Sequence, residues 1–127
     1  LVGRIDAVIG GASRIKLITD SSSVVNVRLK SAGIEAQLQG SLTGDVFLDM
    51  IPSDALVETG DVILTSGLGG NFPPNIFVGQ VLSTQKRENA IFQTASIQPI
   101  VDFETISAVL VINNFESVDI TPLIPEP

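Results

Sequence analysis

Arg14-Ile15-Lys16-Leu17-Ile18-Thr19, then Asp20-Ser21-Ser22-Ser23, then Val24-Val25-Asn26-Val27-Arg28-Leu29 is the stretch whose reading decides the fold. Apolar and polar residues alternate on both sides of a four-residue break rich in turn formers, the period of a strand and not of a helix. Read as a hairpin, the two runs place Ile15, Leu17 and Thr19 on a core face with Val25, Val27 and Leu29. Arg14, Lys16, Arg28 and Lys30 then share the opposite face. Like charges across strands repel, so such a basic stripe implies an anionic neighbour, with a solvated outer face as the plainer reading.

Outward from this stretch the same vocabulary continues. Val and Ile fill 29 positions, in short runs favouring strands. Strands are predicted over Val2 to Ile9, Arg14 to Thr19, Val24 to Leu29, Ile34 to Gln39, Val46 to Ile51, Val62 to Thr65, Ile76 to Ser83, Ile91 to Gln98 and Ile106 to Asn113. Gly10-Gly11, Ala32-Gly33, Thr43-Gly44-Asp45, Pro52-Ser53-Asp54 and Thr59-Gly60-Asp61 supply breaks at barrel-like or sandwich-like spacing. Asp102 to Thr105 reads as a single helical turn. A tail over 117–127, ending Thr121-Pro122-Leu123-Ile124-Pro125-Glu126-Pro127, suits an extended strand-free segment. The prediction is an all-β core over 1–116.

A faint internal echo accompanies the pattern. Leu1-Val2-Gly3-Arg4-Ile5 parallels Phe77-Val78-Gly79-Gln80-Val81, and Ile15 to Asp20 parallels Ile97 to Asp102. Each copy leads into a further apolar run. Two related β-units in tandem would produce this, as would a repeated strand vocabulary.

Composition excludes more than it assigns. The 127 residues contain no His and no Cys, so the usual zinc sites, disulfides and Ser-His or Cys-His nucleophiles are out of reach. A formal charge of −7 opposes nucleic-acid backbones. The charge is also uneven: residues 1–30 hold five cations against two acids, and the rest holds Lys86 and Arg87 against twelve acids. Gly, Pro or charges interrupt every apolar run before it reaches the ~18 residues of a membrane span. With Met50 as its one methionine and no leader pattern, the sequence reads as a piece of a longer protein.

Chemistry-bearing motifs mostly fail on geometry. Ser13-Arg14-Ile15-Lys16 has the Ser-x-x-Lys spacing of penicillin-recognising enzymes, but in a strand those two side chains point to opposite faces. Asp45 with Asp49, and Glu58 with Asp61, could form a carboxylate pair for glycoside chemistry. Turn formation and solvated strand positions account for them more simply. The loop Thr65-Ser66-Gly67-Leu68-Gly69-Gly70-Asn71-Phe72-Pro73-Pro74-Asn75 lacks the Lys-Ser or Lys-Thr of a phosphate cradle. Its glycines suit positive φ angles, and Phe72 an inward anchor. Asp45, Asp54 and Asp61 do not fit calcium-loop spacing.

At this loop the sequence resembles the rod-shape-determining protein MreC family. The carriers are Leu1 to Ile5, Leu17-Ile18-Thr19-Asp20, Gly60-Asp61, Leu64 to Gly70, Phe72-Pro73-Pro74, Val78 to Val81, Pro99 through Phe103 and Val109-Leu110-Val111. The resemblance implies two small β-barrel-like subdomains in tandem, the first cut into at its N-terminal edge. It implies no cofactor, metal or enzymatic activity. The expected role is an extracytoplasmic scaffold of cell elongation that self-associates and engages the elongation-specific penicillin-binding protein. MreD and, indirectly, the actin-like MreB are further implied partners, with membrane attachment through an N-terminal anchor outside this sequence. No contact residue carries over one by one. The candidates for partner contact are Phe72, Ile76 and Phe77 about the loop, with packing as their competing role, and Lys16 and Arg28 of the basic stripe. A carboxylate-dependent carbohydrate-active or peptidoglycan-binding β-domain is the alternative.

Overall fold

The structure, a computed structural model, describes residues 1–113. Those residues form an all-β chain of eight strands: β1 (Gly3–Ile9), β2 (Ala12–Leu17), β3 (Val24–Leu29), β4 (Glu35–Gly40), β5 (Val46–Pro52), β6 (Val62–Thr65), β7 (Phe77–Gln85) and β8 (Phe92–Pro99). β1 and β2 make a two-stranded antiparallel sheet, and the other six close a barrel in the order β3-β4-β5-β8-β7-β6. Closure removes every free edge from the barrel, whereas both edges of the β1–β2 sheet lack a ladder partner among the described residues.

The barrel closes because alternate side chains along its strands point inward. Val25, Val27, Leu29, Leu38, Leu48, Ile51, Ile63, Val78 and Val81 are all at most 1% exposed, each such burial contributing roughly 1.5–3 kcal/mol. The polar residues buried with them are satisfied. Gln93 donates from Nε2 to the carbonyls of Pro52 (3.0 Å) and Ala55 (2.8 Å). In β5 the alternation is reset by a bulge between Leu48 and Ile51, at which Met50 takes a φ of 63°. Leu48 and Ile51 therefore both face the core while Met50 faces out.

The echo in the sequence is a repeated hairpin. In β1–β2, Gly3 stands opposite Leu17, Arg4 opposite Lys16 and Ile5 opposite Ile15, and a bulge then brings Ala7 opposite Arg14. In β7–β8, Gly79 stands opposite Pro99, Gln80 opposite Gln98 and Val81 opposite Ile97, and a bulge brings Ser83 opposite Ser96. The Ile18 amide donates to the Val2 carbonyl as the Ile100 amide does to that of Val78, both at 3.0 Å. The chain then turns the same way twice: Ser23 N donates to Asp20 O (2.9 Å) and Thr105 N to Asp102 O (3.2 Å). The Asp20 and Asp102 carboxylates accept from the amides of Ser22 (2.8 Å) and Glu104 (3.0 Å). Even the glycines match, since a Cβ on Gly3 or Gly79 would collide with the carbonyl oxygen of Lys16 or Gln98.

Three expectations need correction. The run Arg14 to Thr19 pairs with β1 and not with β3, which lies between β4 and β6. The tight Gly10-Gly11 connection favours the β1–β2 hairpin, while the Asp20 turn carries the chain away to the barrel. Asp102 to Thr105 is a hydrogen-bonded turn and not helix, and Ile106 to Asn113 enters no strand. That last run follows the same turn as β3, but meets no ladder partner among the described residues. The tail expected over 117–127 lies outside the described residues. No helix among the described residues is long and apolar enough to cross a membrane.

Candidate functional site

The β1–β2 hairpin, the loop between β6 and β7, and the irregular segment 106–112 wall a groove of about 770 Å³. Its surface is chiefly apolar. Ile5 and Ile15, directly opposite one another in the hairpin, supply one side, Phe72, Pro73 and Ile76 another, and the run from Ile106 to Ile112 the third. Leu110 in that run is 97% exposed. Consecutive apolar residues held open to water form the kind of patch that marks an interaction site.

The loop keeps its shape through the residue at its start. Thr65 is fully buried, and its hydroxyl donates to the Pro73 carbonyl (2.6 Å) while accepting from the Ile76 amide (2.9 Å). Asn75 N and Thr65 O close the loop at 2.8 Å. Gly67, Gly69 and Gly70 adopt φ between 71° and 81°, the conformations that the glycine-rich sequence suggested. Phe72 packs partly buried against the barrel core while also lining the groove, so its packing role is seen directly.

The candidate contact residues separate in space. Phe72 and Ile76 line the groove, whereas Phe77 does not. Phe77 instead pairs with Leu64 between β6 and β7, and its carbonyl accepts a hydrogen bond from the Leu1 amino group at 2.8 Å. The expected basic stripe does not form, since Lys16 lies on the hairpin and Arg28 on the barrel. Lys16 stands opposite Arg4 beside a polar depression of about 310 Å³ that Asp6, Arg14 and Asp20 also line. Arg28 extends from β3 and donates to the side-chain oxygen of Asn75 at the end of the loop.

On the charged face of the hairpin, Arg14 makes a two-pronged ion pair with Asp6, Nε to Oδ1 at 2.9 Å and Nη2 to Oδ2 at 3.2 Å. The hydrogen bond from Arg14 holds the Asp6 carboxyl below the ordinary carboxylate range, and Asp6 in turn raises Arg14. Asp20 is also lowered, first by the Ser22 hydroxyl and then by the Ser22 amide. Of the other acids considered for chemistry, Asp45 and Asp61 serve turns and Asp49 the bulge of β5. Asp45 accepts from the Thr43 hydroxyl (3.0 Å), Asp49 from the Met50 amide (2.8 Å) and Asp61 from the Glu58 amide (2.9 Å). No group of three potential metal ligands occurs among the described residues.

A barrel core with this loop and this repeated hairpin matches a known family model. The model for rod shape-determining protein MreC, barrel core, covers residues 1–113. The chain belongs to the MreC family. The cell shape-determining protein MreC of Cereibacter sphaeroides is 42% identical over 81 residues, which cover 64% of this chain and 27% of that protein. The crystal structure of MreC from Pseudomonas aeruginosa superposes with a TM-score of 0.72 at 25% identity, covering 77% of this chain and 64% of that one. MreC from Helicobacter pylori, solved as a complex with penicillin-binding protein PBP2, matches the fold with a TM-score of 0.58 at 24% identity, over 65% of this chain and 51% of that one. The chain spans between 27% and 40% of the length of the first curated MreC relatives.

The groove was hidden from sequence reasoning because three separated stretches build it. Ile5 and Leu110 fall in stretches that carry the family resemblance, but neither they nor Ile15 gave any signal of a shared groove.

Proposed function

We propose that this MreC-family chain is a non-catalytic, extracytoplasmic scaffold module of the bacterial cell-elongation machinery, and that it binds and activates the elongation-specific penicillin-binding transpeptidase through the apolar groove. The observation that carries this reading is the groove itself, with the Ile5–Ile15 pair, Phe72 and the run to Ile112 open to a partner. The existence of a PBP2–MreC complex in a structural relative supports the choice of partner. Activation by a scaffold needs no catalytic group. A surface that binds the open form of a transpeptidase more tightly than the closed form raises its population by the ratio of the two affinities.

Self-association belongs to the same reading, supported by a structural relative described as a cell shape-determining filament whose major periplasmic domain was solved. Contacts with MreD and, indirectly, MreB are assigned to the whole protein. So is membrane attachment, through an N-terminal anchor. The described β-rich core is the working unit.

Binding of the purified extracytoplasmic domain of the transpeptidase to the whole protein tests the proposal. Phe72→Ala and, separately, Leu110→Ser should each raise Kd by about tenfold or more, as expected for a central apolar contact. Leu110 is so exposed that its substitution leaves the fold intact. Unchanged affinity in both variants would remove the groove from the interface. Retention on purified peptidoglycan with no transpeptidase binding would favour a carbohydrate-binding β-domain instead.

A further inference from the structure

The loop that supplies Phe72 to the groove is held from outside as well as from beneath. Asn26 and Arg28 lie on alternate positions of β3, between the buried Val25, Val27 and Leu29, so their side chains leave the barrel on its outer face. Asn26 Nδ2 donates to the carbonyl of Leu68 (3.1 Å) near the start of the loop. Arg28 donates through Nη2 to the side chain of Asn75 at its end, a residue at a φ of 66°, in the left-handed region that asparagine enters more readily than most non-glycines. The Ser66 amide also donates to the Asn26 carbonyl (3.0 Å). Gly70 to Pro73, which line the groove, lie between the two side-chain ties.

From this geometry we infer that Asn26 and Arg28 are positioning residues of the groove, clamping both ends of the Ser66–Asn75 loop so that Phe72 is presented in one place. The inference rests on the groove reading above and assigns Arg28 a different part from a cation meeting an anionic partner. The β6–β7 connection, eleven residues over 66–76 with three positive-φ glycines, has many conformations open to it, and a partner docking on Phe72 must select one of them. Two hydrogen bonds that select it in advance lower that cost. Neither side chain is part of the core, so their removal leaves no cavity there.

Two measurements on Asn26→Leu and Arg28→Met, made in the whole protein, test this. Hydrogen exchange of the Leu68 to Asn75 amides should quicken in both variants, with the barrel amides unchanged. Transpeptidase affinity should fall by about tenfold, near the cost of a lost charge-assisted or neutral hydrogen bond, equally at low and high salt, and Arg28→Lys should restore part of it. Loop exchange that stays at the wild-type rate overturns the inference, whatever binding does. If Phe72→Ala weakens binding while both β3 variants bind normally, the inference falls and the groove reading survives. If Arg28→Met alone weakens binding, and only at low salt, Arg28 is a charge contact and the inference is wrong. If Phe72→Ala and Leu110→Ser bind normally while the loop exchanges faster in the β3 variants, the clamp stands and the groove reading falls.

Discussion

The hairpins β1–β2 and β7–β8 share register, bulge, glycine and following turn, yet they live in different surroundings. β7–β8 is flanked by β6 and β5 inside a closed barrel; β1–β2 has no ladder partner on either edge among the described residues. Equivalent positions are buried accordingly: Ile97 is 4% exposed and Ile15, its counterpart, 40%. Val81 is fully buried and Ile5 only half so. Local sequence therefore specifies the hairpin, while burial of its apolar face depends on neighbours that the local sequence does not contain. Two strands alone are marginal in water, and the open copy turns its uncovered inner face into the wall of the groove.

The sharpest way to break this comparison is to make the same insult in both copies. Gly79→Val drives a side chain into the Gln98 carbonyl where β5 and β6 hold the two strands in place, and should cost on the order of 4 kcal/mol in urea denaturation. Gly3→Val makes the same collision in a hairpin free to splay, and global stability should fall by roughly a quarter of that. Equal losses would mean that the open hairpin is held as firmly as the closed one. A milder pair refines the point. Ile97→Ala empties part of a filled core and should cost about 3 kcal/mol, whereas Ile15→Ala, at a half-open site, should cost about 1 kcal/mol.

What was legible in the sequence follows the same division. The Val-Gly echo at Gly3 and Gly79, the Asp20 and Asp102 turns and the alternating runs are local signals, and the all-β barrel came through in them. The partner of Arg14 to Thr19 did not, because a strand with apolar residues on one face fits several neighbours and only the short Gly10-Gly11 connection settles the choice. Ile106 to Asn113 has the composition of a strand but pairs with no edge among the described residues, an outcome set by the rest of the molecule. The basic stripe failed for that reason: Arg28 was read by its charge, while its position on β3 facing Asn75 depends on how an eleven-residue loop crosses the barrel. Phe72 was legible as an anchor because a large apolar side chain in a glycine-rich loop gains by packing inward. Phe77, next to a strand start, was a register question that no local pattern answers.

The finest difference between the two hairpins is electrostatic. Only the open copy carries an ion pair, since Asp6 and Arg14 correspond to Leu82 and Ser96 in the closed one. The Asp6 carboxyl titrates below its unfolded value because Arg14 donates to the charged form. Its contribution is accordingly complete above the unfolded value, about pH 4, and is lost as pH falls through the lower folded one. The pair is exposed, so the effect is confined to the hairpin and weakened by salt. NMR signals of the β1–β2 amides should therefore broaden or shift on acidification below about pH 4 while those of β7–β8 hold. Asp20, lowered by Ser22 at the exit from the hairpin, moves in the same direction, and Asp6→Asn separates the two. If the Asp6→Asn protein keeps the wild-type acid profile, the crossover turn and not the ion pair is what stiffens the open hairpin.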